Sequence, residues 1–347
     1  MSNWEDIQHG FQISAAGCAM VMHYILIQLI INHSPKSIGQ YKYLMLLISI
    51  FEIIYAVLDV IVQPIFHSFG ATFMLIVNLK NSHVIKKIWE VLAVTYCGFF
   101  GSSMAIFSIH YMYRYWVISG NTKNLNWFKG KRVFIWLIGP FSNGLIWALV
   151  GYFLCYPRKS SDDYLRESVK ETLGLNIDRI VYFAPYFYEK SDSGQNDVYW
   201  PSFIGISLDS LSINISLGFV IYYGTRCWRQ MNTIITSSSI MEGSLQNQLF
   251  YALVAQTAIP IFLMHIPALT MFMFSFFELD AGHLSGIVSM TIALFPALDP
   301  IPTILIISSY RNAVKDYMSS TCRSLSKPFR CLIPKKKSAR TNTSSTH

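Results

Sequence analysis

The chain has 347 residues, of which 52% are hydrophobic and only 13% are charged. Soluble domains carry about 25% charged residues, so this composition excludes a soluble enzyme and a disordered chain. The formal net charge is +8, and residues 311–347 alone supply it with nine Lys or Arg and one acid. The basic character is therefore a property of the C-terminal tail, and it does not predict nucleic-acid binding.

Seven segments are long and apolar enough to cross a membrane, since a spanning helix needs about 20 mostly apolar residues. In chain order these spans are residues 11–32, 43–66, 89–118, 133–156, 200–228, 247–277 and 284–309. Trp89 and Trp116 flank span three, and Trp200 and Trp228 flank span five, as expected for tryptophans at the two membrane interfaces. The sequence predicts an all-α membrane protein with a seven-transmembrane helix bundle.

The segments outside the spans have distinct characters. They include an N-terminal segment (1–10), a long loop (157–199) and a basic tail (310–347). The apolar stretch 71–79 is too short to cross a membrane, and we expect a structured loop with a short strand there. Residues 311–317 mix charged and apolar side chains, which predicts a short amphipathic helix after span seven.

Basic residues predict the orientation of the bundle. One side collects 18 Lys or Arg from the loops after spans one, three and five and from the tail, whereas the other side collects nine. The positive-inside rule therefore places the N-terminus and the long loop outside the cell and the C-terminus in the cytosol. The basic tail is then expected to lie against anionic lipid of the inner leaflet.

Ionisable side chains inside the spans are functional candidates, because each is costly to place in the membrane. Glu52, Tyr55 and Asp59 stand at i, i+3 and i+7 and share one stripe of span two. Spans five to seven add Asp209, His265 and Asp299. A proton or cation relay uses such a set, and a static polar network between helices, the simpler interpretation, needs the same residues. No ligand spacing predicts a metal, and no phosphate-binding glycine loop predicts a cofactor.

The cysteines do not form a disulfide framework. Only Cys97 in span three and Cys155 at the end of span four are placed to pair, and small apolar side chains packed against neighbouring helices are the simpler interpretation. Cys322 and Cys331 lie in the basic tail, where palmitoylation would add a second membrane anchor. The alternative for the tail is a disordered segment with unmodified thiols.

Short motifs along nearly the whole chain resemble one family. They are Gln40–Met45, Pro64–Ser68, Tyr96–Gly98, His110–Tyr115, Tyr182–Tyr186, Leu245–Phe250, Ala252–Thr257, Pro296–Pro300 and Tyr310–Ala313. In order and spacing they are similar to those of the nematode Str-type seven-transmembrane chemoreceptors, a family related to the worm diacetyl receptor. The resemblance implies a G-protein-coupled receptor for small odorants or other environmental chemicals, located in the ciliary membrane of sensory neurons.

The resemblance also implies a switch at the inner end of the bundle. Arg114 takes the place of the arginine that locks the inactive state of rhodopsin-like receptors, although Tyr113, not an acid, precedes it. Asp299 and Pro300 resemble the pivot of span seven, but Thr303 stands where a tyrosine would complete that motif. The residues expected to serve the switch and the G-protein contact are Arg114, Tyr115, Asp299, Pro300, Tyr310 and Arg311.

A ligand pocket is expected between the outer halves of spans three, five, six and seven. The candidate lining residues are Val94, Cys97, Gly98, Gly101, Ser207, Asp209, His265 and Thr291. Gly98 and Gly101 are expected to leave space, and Met264, Met271 and Phe272 favour a small apolar or weakly polar molecule.

Two other functional classes stay open at this point. A ligand-gated cation channel or transporter of seven spans would use Glu52, Asp59 and Asp299. Insect-type odorant channels also have seven spans but keep the N-terminus inside, which the distribution of basic residues opposes. A structural membrane protein without a ligand is disfavoured by the number of intramembrane charges and prolines. The oligomeric state is not predicted.

Overall fold

The structure, a computed structural model, describes residues 2–80, 82–190, 196–234, 240–282 and 284–330. Within these residues, seven helical segments are long and apolar enough to cross a membrane. They are Trp4–His33, Tyr41–Val62, Lys86–Ile118, Gly130–Leu154, Trp200–Met231, Gly243–Phe276 and Leu284–Ile306. The seven-helix bundle predicted from the sequence is confirmed, and each segment overlaps the span predicted for it.

Most elements are helices. Strands occur in two places, in the loop before span three and in the loop after span four. The α-helices are α1 (Ser2–His33), α2 (Tyr41–Val62), α3 (Lys86–Ile118), α4 (Thr122–Leu125), α5 (Ile138–Leu154), α6 (Lys159–Ser168), α7 (Trp200–Ile234), α8 (Ile240–Pro260), α9 (Ile266–Phe276), α10 (Leu284–Leu298), α11 (Pro300–Ile306) and α12 (Ser308–Arg330). The strands are β1 (Ile65–Phe69), β2 (Thr72–Asn78), β3 (Ile180–Phe183), β4 (Tyr188–Lys190) and β5 (Asn196–Val198). Turns of 3-10 helix cover Lys36–Ile38, Asn126–Phe128, Gly130–Leu137 and Ile177–Arg179, and turns of π-helix cover Val169–Leu173 and Ile261–His265.

Three spans are composites of these elements. Span four joins the 3-10 segment Gly130–Leu137 to α5, and span seven joins α10 to α11. Span six joins α8 to α9 through the π-helical turn, which begins directly after Pro260. A proline has no N–H group to donate within the helix, and such sites commonly bend it.

The two termini differ in extent from the sequence-based expectation. Helix α1 begins at Ser2, so the segment 1–10 is largely helical and continuous with span one. Helix α12 follows span seven and is longer than the short amphipathic helix predicted over 311–317. Cys322 lies on α12, whereas Cys331 lies outside the described residues.

A small antiparallel sheet accompanies the bundle, which the all-α prediction did not include. Its strand order is β1-β2-β3, with Phe66 opposite Leu75 and Leu75 opposite Phe183. The predicted short strand over 71–79 is confirmed as β2. A β4–β5 hairpin lies nearby in the long loop. The sheet therefore joins the loop after span two to the loop after span four.

The centre of the bundle is α3, which packs against α2, α5, α7 and α8. The α3–α5 contact depends on missing side chains. A Cβ at Gly98 would lie 2.9 Å from the Gly144 carbonyl oxygen, and one at Gly144 would lie 2.7 Å from the Gly98 carbonyl oxygen. Small residues of this kind let transmembrane helices approach closely.

The bundle has two dissimilar ends. The N-terminal part of α1 lies at the end that carries the sheet, because Gln8 Nε2 donates to the Pro64 carbonyl at 3.1 Å and Asn78 Nδ2 donates to Glu5 Oε1 at 2.8 Å. We call this the sheet end. The opposite end, which carries α12, we call the α12 end.

Candidate functional site

Side chains alternate between the two faces of the sheet, and both faces are buried. Phe66, Phe73, Leu75 and Phe183 pack with the helices of the bundle. Met74, Ile76 and Tyr182 pack on the other side with Leu165 and Val169 of the long loop. The sheet is thus held between the bundle and α6, and its inner face forms the cover of the space beneath it.

A cavity of about 90 Å³ lies under this cover. Residues from β1, β2, β3, α3, α5, α7, α9 and α10, and from the loops after α5 and β3, surround it. They are Phe66, Phe73, Leu75, Tyr96, Cys97, Phe100, Trp147, Val150, Gly151, Cys155, Phe183, Pro185, Ile206, Asp209, Ala268, Phe272, Val288 and Ile292. Most of these side chains are aliphatic or aromatic, which is the usual lining of a small-molecule site.

Asp209 is the one acidic side chain on this wall. It is 7% exposed, and its Oδ1 has no hydrogen-bond partner in the described part of the chain. The ion pairs found among the described residues do not include it. A buried carboxylate is normally paired or hydrogen-bonded. Asp209 is therefore the cavity-lining side chain whose hydrogen-bonding capacity is least satisfied.

Cys97 and Cys155 line the same cavity as free thiols. The disulfide considered between them is therefore not formed, and the two cysteines are unpaired, as in the simpler interpretation. Cys155 is buried and Cys97 is half-buried. The two thiols lie on the α3 and α5 sides of the cavity.

Six of the eight predicted lining residues lie off the cavity wall. Gly98 faces Gly144, and the space beside Gly101 is filled by the Trp147 indole, whose atoms would lie 2.3 Å from an added Cβ. The glycines therefore serve helix packing instead of leaving room for a ligand. Ser207 is exposed on the outer face of α7. It cannot share a face with Asp209, since positions i and i+2 of a helix point to different sides.

The other three predicted lining residues are engaged within the bundle. Val94 packs in the central hydrophobic cluster. His265 Nε2 lies 3.3 Å from Ser103 Oγ, and its ring meets Phe100 edge-on at 5.0 Å. Thr291 Oγ1 donates to the Val288 carbonyl of its own helix at 2.9 Å. None of these three side chains reaches the cavity.

The sheet residues of the cavity wall were missed by the sequence reasoning. The signal that could have found them was present, because Pro64–Ser68 and Tyr182–Tyr186 stood out among the resembling motifs. Both motifs contain strand residues of the cover. Their role could not be inferred, since the pairing of β2 with β3 joins segments more than 100 residues apart.

A proline in span seven exposes a backbone carbonyl to α1. Pro300 begins α11 and has no N–H group, so the carbonyl of Pro296 loses its usual helical donor. His23 Nε2 lies 2.9 Å from that oxygen and 3.1 Å from Glu52 Oε2. His23 therefore links the break between α10 and α11 to span two, a role that a lone histidine in an apolar span did not reveal.

Asp299 completes this buried cluster. Gln256 Nε2 donates to Asp299 Oδ2 at 2.5 Å, and Asp299 lies beside Glu52. His23, Glu52, Gln256 and Asp299, which we call the middle cluster, join α1, α2 and α8 at the point where span seven breaks. In the described part of the chain, no group of three His, Cys, Asp or Glu is arranged to hold a metal ion.

The predicted stripe of span two serves two places instead of one. Glu52 belongs to the middle cluster, whereas Asp59 accepts a hydrogen bond from the Tyr96 hydroxyl at 2.9 Å. The ring of Tyr55 lies between them, 5.2 Å from the Tyr96 ring. Because Tyr96 also lines the cavity, this pair connects the cavity wall to span two.

Arg114 is buried at the α12 end without an acidic partner among the described residues. Its guanidinium lies 3.8 Å from the centre of the Tyr41 ring, and its Nη1 donates to Gln246 Oε1 at 2.8 Å. Its Nε and Nη2 have no hydrogen-bond partner in the described part of the chain. The side chain is only 1% exposed. A cation–π contact and one amide therefore hold this arginine between α2, α3 and α8.

The motif Leu245–Phe250, which we call the clasp, connects three helices at the same end. Gln246 Oε1 accepts a hydrogen bond from Arg114, and Gln248 Oε1 accepts one from the backbone N–H of Ser308 at 2.8 Å. Ser308 is the first residue of α12. Two amides spaced two residues apart thus tie α8 both to α3 and to the start of α12.

The remaining predicted switch residues also lie at this end. Tyr310 is fully buried, and its hydroxyl lies 2.7 Å from Ser34 Oγ. Arg311 Nη1 donates to the Leu305 carbonyl at 2.8 Å. Tyr115 packs against Tyr223 of α7 at 5.6 Å, and Thr303 is buried in α11. Pro300 forms the break beside Asp299.

Polar contacts fasten the long loop over the sheet. The Tyr182 hydroxyl donates to Asp162 Oδ1 at 2.6 Å, and Arg158 Nη1 lies 2.5 Å from Glu189 Oε1. Burial raises the pKa of Tyr182, and the hydrogen bond to Asp162 raises it further. Burial lowers the pKa of His67, whose Nε2 lies 3.1 Å from Ser168 Oγ. The cover is therefore tied down by its own side chains.

The fold defines a class, the membrane proteins with seven spanning helices. The profile of the family described as "Serpentine type 7TM GPCR chemoreceptor Str" matches residues 8–315. The chain belongs to this family, which is a family of receptors and not of enzymes. The protein is accordingly a multi-pass membrane protein of the serpentine chemoreceptor class.

Curated relatives from nematodes agree with this assignment. "G-protein coupled receptor str-217" of Caenorhabditis elegans is 34% identical over 311 residues, which cover 89% of each chain. "Serpentine receptor class r-10" of the same organism is 30% identical over 287 residues, which cover 82% of this chain and 83% of the relative. "G-protein coupled receptor str-33" is 25% identical over 315 residues, covering 90% and 91% of the two chains.

Proposed function

We propose that this receptor detects a small odorant or other environmental chemical in the cavity under the sheet and activates a heterotrimeric G protein at the α12 end. The observation that carries the proposal is the contrast between the two ends of one bundle. One end encloses an apolar cavity with a single unpaired acid, and the other holds a buried arginine by contacts that can be exchanged.

The proposed orientation puts the sheet end outside the cell and the α12 end in the cytosol. The two-to-one excess of Lys and Arg on the α12 side supports it. In a sensory neuron the proposed location is the ciliary membrane, where odorants arrive. Helix α12 would then lie along the inner leaflet, with its basic residues on anionic lipid and Cys322 available for palmitoylation.

The proposed signal passes along α3 and span seven. Ligand atoms would contact Tyr96 of α3 and Ile292 of α10. Helix α3 continues to Arg114, and α10 continues to the break in span seven where the middle cluster lies. Occupancy would favour a packing in which the Gln246–Arg114 bond opens and the inner ends of spans three, five and six separate. The G protein would meet the loops after spans three and five, together with Tyr115, Tyr310 and Arg311.

The alternative of a cation channel or transporter relies on the acids of the spans. Three of those acids are held by neighbouring side chains: Glu52 by His23, Asp59 by Tyr96 and Asp299 by Gln256. Such engaged carboxyl groups favour a static network over a conduction path. Membership of a receptor family points the same way.

The experiment that tests the proposal is nucleotide exchange on a Gα subunit. Membranes from cells that express the receptor with Gα, β and γ subunits are exposed to a panel of small volatile compounds. We expect at least one compound to accelerate exchange, and membranes without the receptor serve as the control. Currents evoked by such compounds without added G protein would support the channel alternative instead.

A further inference from the structure

The polar atoms around the cavity are unequally engaged. The Tyr96 hydroxyl donates to Asp59 at 2.9 Å, and the Trp147 Nε1–H donates to Ser212 Oγ at 2.9 Å. Ser212 in turn donates to the backbone carbonyl of Asp209 at 2.8 Å. The strong side-chain donors near the cavity are therefore occupied, whereas Asp209 Oδ1 has no partner among the described residues. With Asp209 ionised, the wall offers an acceptor, and apart from two weakly donating thiols it offers no free donor.

The wall also offers favourable surroundings for a positive charge. Tyr96, Phe100, Trp147 and Phe272 present aromatic rings to the cavity, and the faces of such rings attract cations. A lone carboxylate in apolar surroundings is costly, and the cost falls when an opposite charge pairs with it. A cationic ligand would supply the positively charged partner that the described residues do not provide for Asp209.

From this geometry we propose that the cavity takes a small aliphatic monoamine, whose ammonium group pairs with the Asp209 carboxylate and whose carbon chain lies among the aromatic rings. The inference rests on the receptor function proposed above and names its ligand class. An apolar cavity of roughly 150 Å³ binds benzene, so the cavity of about 90 Å³ suits an amine with about four carbon atoms.

The other common small odorants fit this wall less well. A ketone or an ester brings only acceptor oxygens, which would meet the acceptor at Asp209 and no unoccupied strong donor in the described cavity wall. An alcohol brings one donor but no charge. Butylamine, butanol and butanone, which have the same number of non-hydrogen atoms, therefore separate charge from size.

The first test measures Gα nucleotide exchange with these three compounds. Butylamine is expected to act at concentrations at least tenfold lower than butanol or butanone. Asp209→Asn is expected to raise the half-maximal concentration of butylamine at least tenfold at equal surface expression. Asn214→Ala is the matched control, because Asn214 lies on the exposed side of the same helix and its loss is expected to change nothing. Equal potency of the ketone, unaltered by Asp209→Asn, would overturn the amine class and leave the receptor function standing.

A second test measures binding without any G protein. Cys155 lines the cavity as a free thiol, so a small neutral methanethiosulfonate reagent should label it in the purified receptor, as read by peptide mass spectrometry. Butylamine is expected to slow this labelling at least fivefold in the wild type and not in Asp209→Asn. Protection by butanone but not by butylamine, or protection that persists in Asp209→Asn, would contradict the inference. Protection without any G-protein response would instead contradict the proposed function.

Discussion

At the sheet end and at the α12 end, one buried ionisable side chain lacks an ion-pair partner among the described residues, but the surroundings of the two differ. Asp209 stands on the wall of an open space, and nothing described in the protein occupies the position opposite Oδ1. Arg114 is enclosed by its own chain, with Tyr41 against its guanidinium and Gln246 on Nη1. The first side chain is available to a small partner from outside the protein. The second becomes available only when helices move.

This difference separates recognition from response. A cavity lined by one sheet and several helices can accept a ligand with little rearrangement, as most small-molecule sites do. A packed arginine held by one neutral amide can be released by a modest change of free energy, since a hydrogen bond to a charged group contributes about 1.5–3 kcal/mol. The middle cluster lies between the two, where span seven is already broken at Pro300.

The largest expected effect is at Arg114. Arg114→Gln removes the charge that the account assigns to the G-protein contact, and we expect ligand-driven nucleotide exchange to fall by about tenfold or more, as when a charged contact worth at least 1.4 kcal/mol is lost. Labelling of Cys155 and its protection by ligand should stay as in the wild type. A variant that signals normally would remove Arg114 from the coupling surface.

The next effect is confined to the sheet end. In Gly101→Ala the new Cβ would lie 2.3 Å from the Trp147 ring, so the indole must shift toward the cavity it lines. We expect ligand potency to drop roughly tenfold, a change of about 1.4 kcal/mol, with basal exchange unaltered. Gly139→Ala is the control on α5, because an added Cβ there meets nothing within 4 Å. Equal behaviour of the two variants would contradict the packing described for Trp147.

A smaller change is expected when the clasp is loosened. Gln246→Ala removes the hydrogen bond that holds Arg114 in the packed arrangement, and basal exchange should rise several-fold because the closed packing loses about 1.5 kcal/mol. Asn247→Ala removes a neighbouring amide of the same motif and should leave basal exchange as it is. Lower basal activity in Gln246→Ala would mean that the amide supports the active packing instead.

The smallest effect is expected at the thiols. Because Cys97 and Cys155 are unpaired, a reducing agent should change neither surface expression nor ligand potency. The double variant Cys97→Ser, Cys155→Ser should fold and signal within about a factor of two of the wild type, since serine is close to cysteine in size and its hydroxyl can donate to a backbone carbonyl of the preceding turn. Loss of expression upon reduction would show that the two cysteines pair in the cell.

The sequence predicted the bundle well because hydropathy and length are local properties. Each of the seven spans could be found from its own residues, and β2 could be inferred because it was too short to cross. The pivot expected at Pro300 coincides with the break between α10 and α11, since proline acts on its own backbone. These features required no knowledge of which helix lies beside which.

The site was less predictable because its geometry depends on neighbours. The space beside Gly101 belongs to Trp147, and the carbonyl freed at Pro296 belongs to His23, two contacts that join distant segments. The rotation of α7 placed Asp209 inward and Ser207 outward, and a single sequence sets that rotation only through the whole bundle. Gln246 and Arg114 were each recognised as part of a motif, but the hydrogen bond between them was not predicted.

Terminal epitope tags test most directly whether the two ends face opposite sides of the membrane as the account requires. The measurement is antibody binding to an N-terminal and a C-terminal tag on intact cells and then on permeabilised cells. An N-terminal tag is expected to be accessible on intact cells, and a C-terminal tag only after permeabilisation. The reverse pattern would place Arg114 and α12 outside the cell and would contradict activation of a cytosolic G protein.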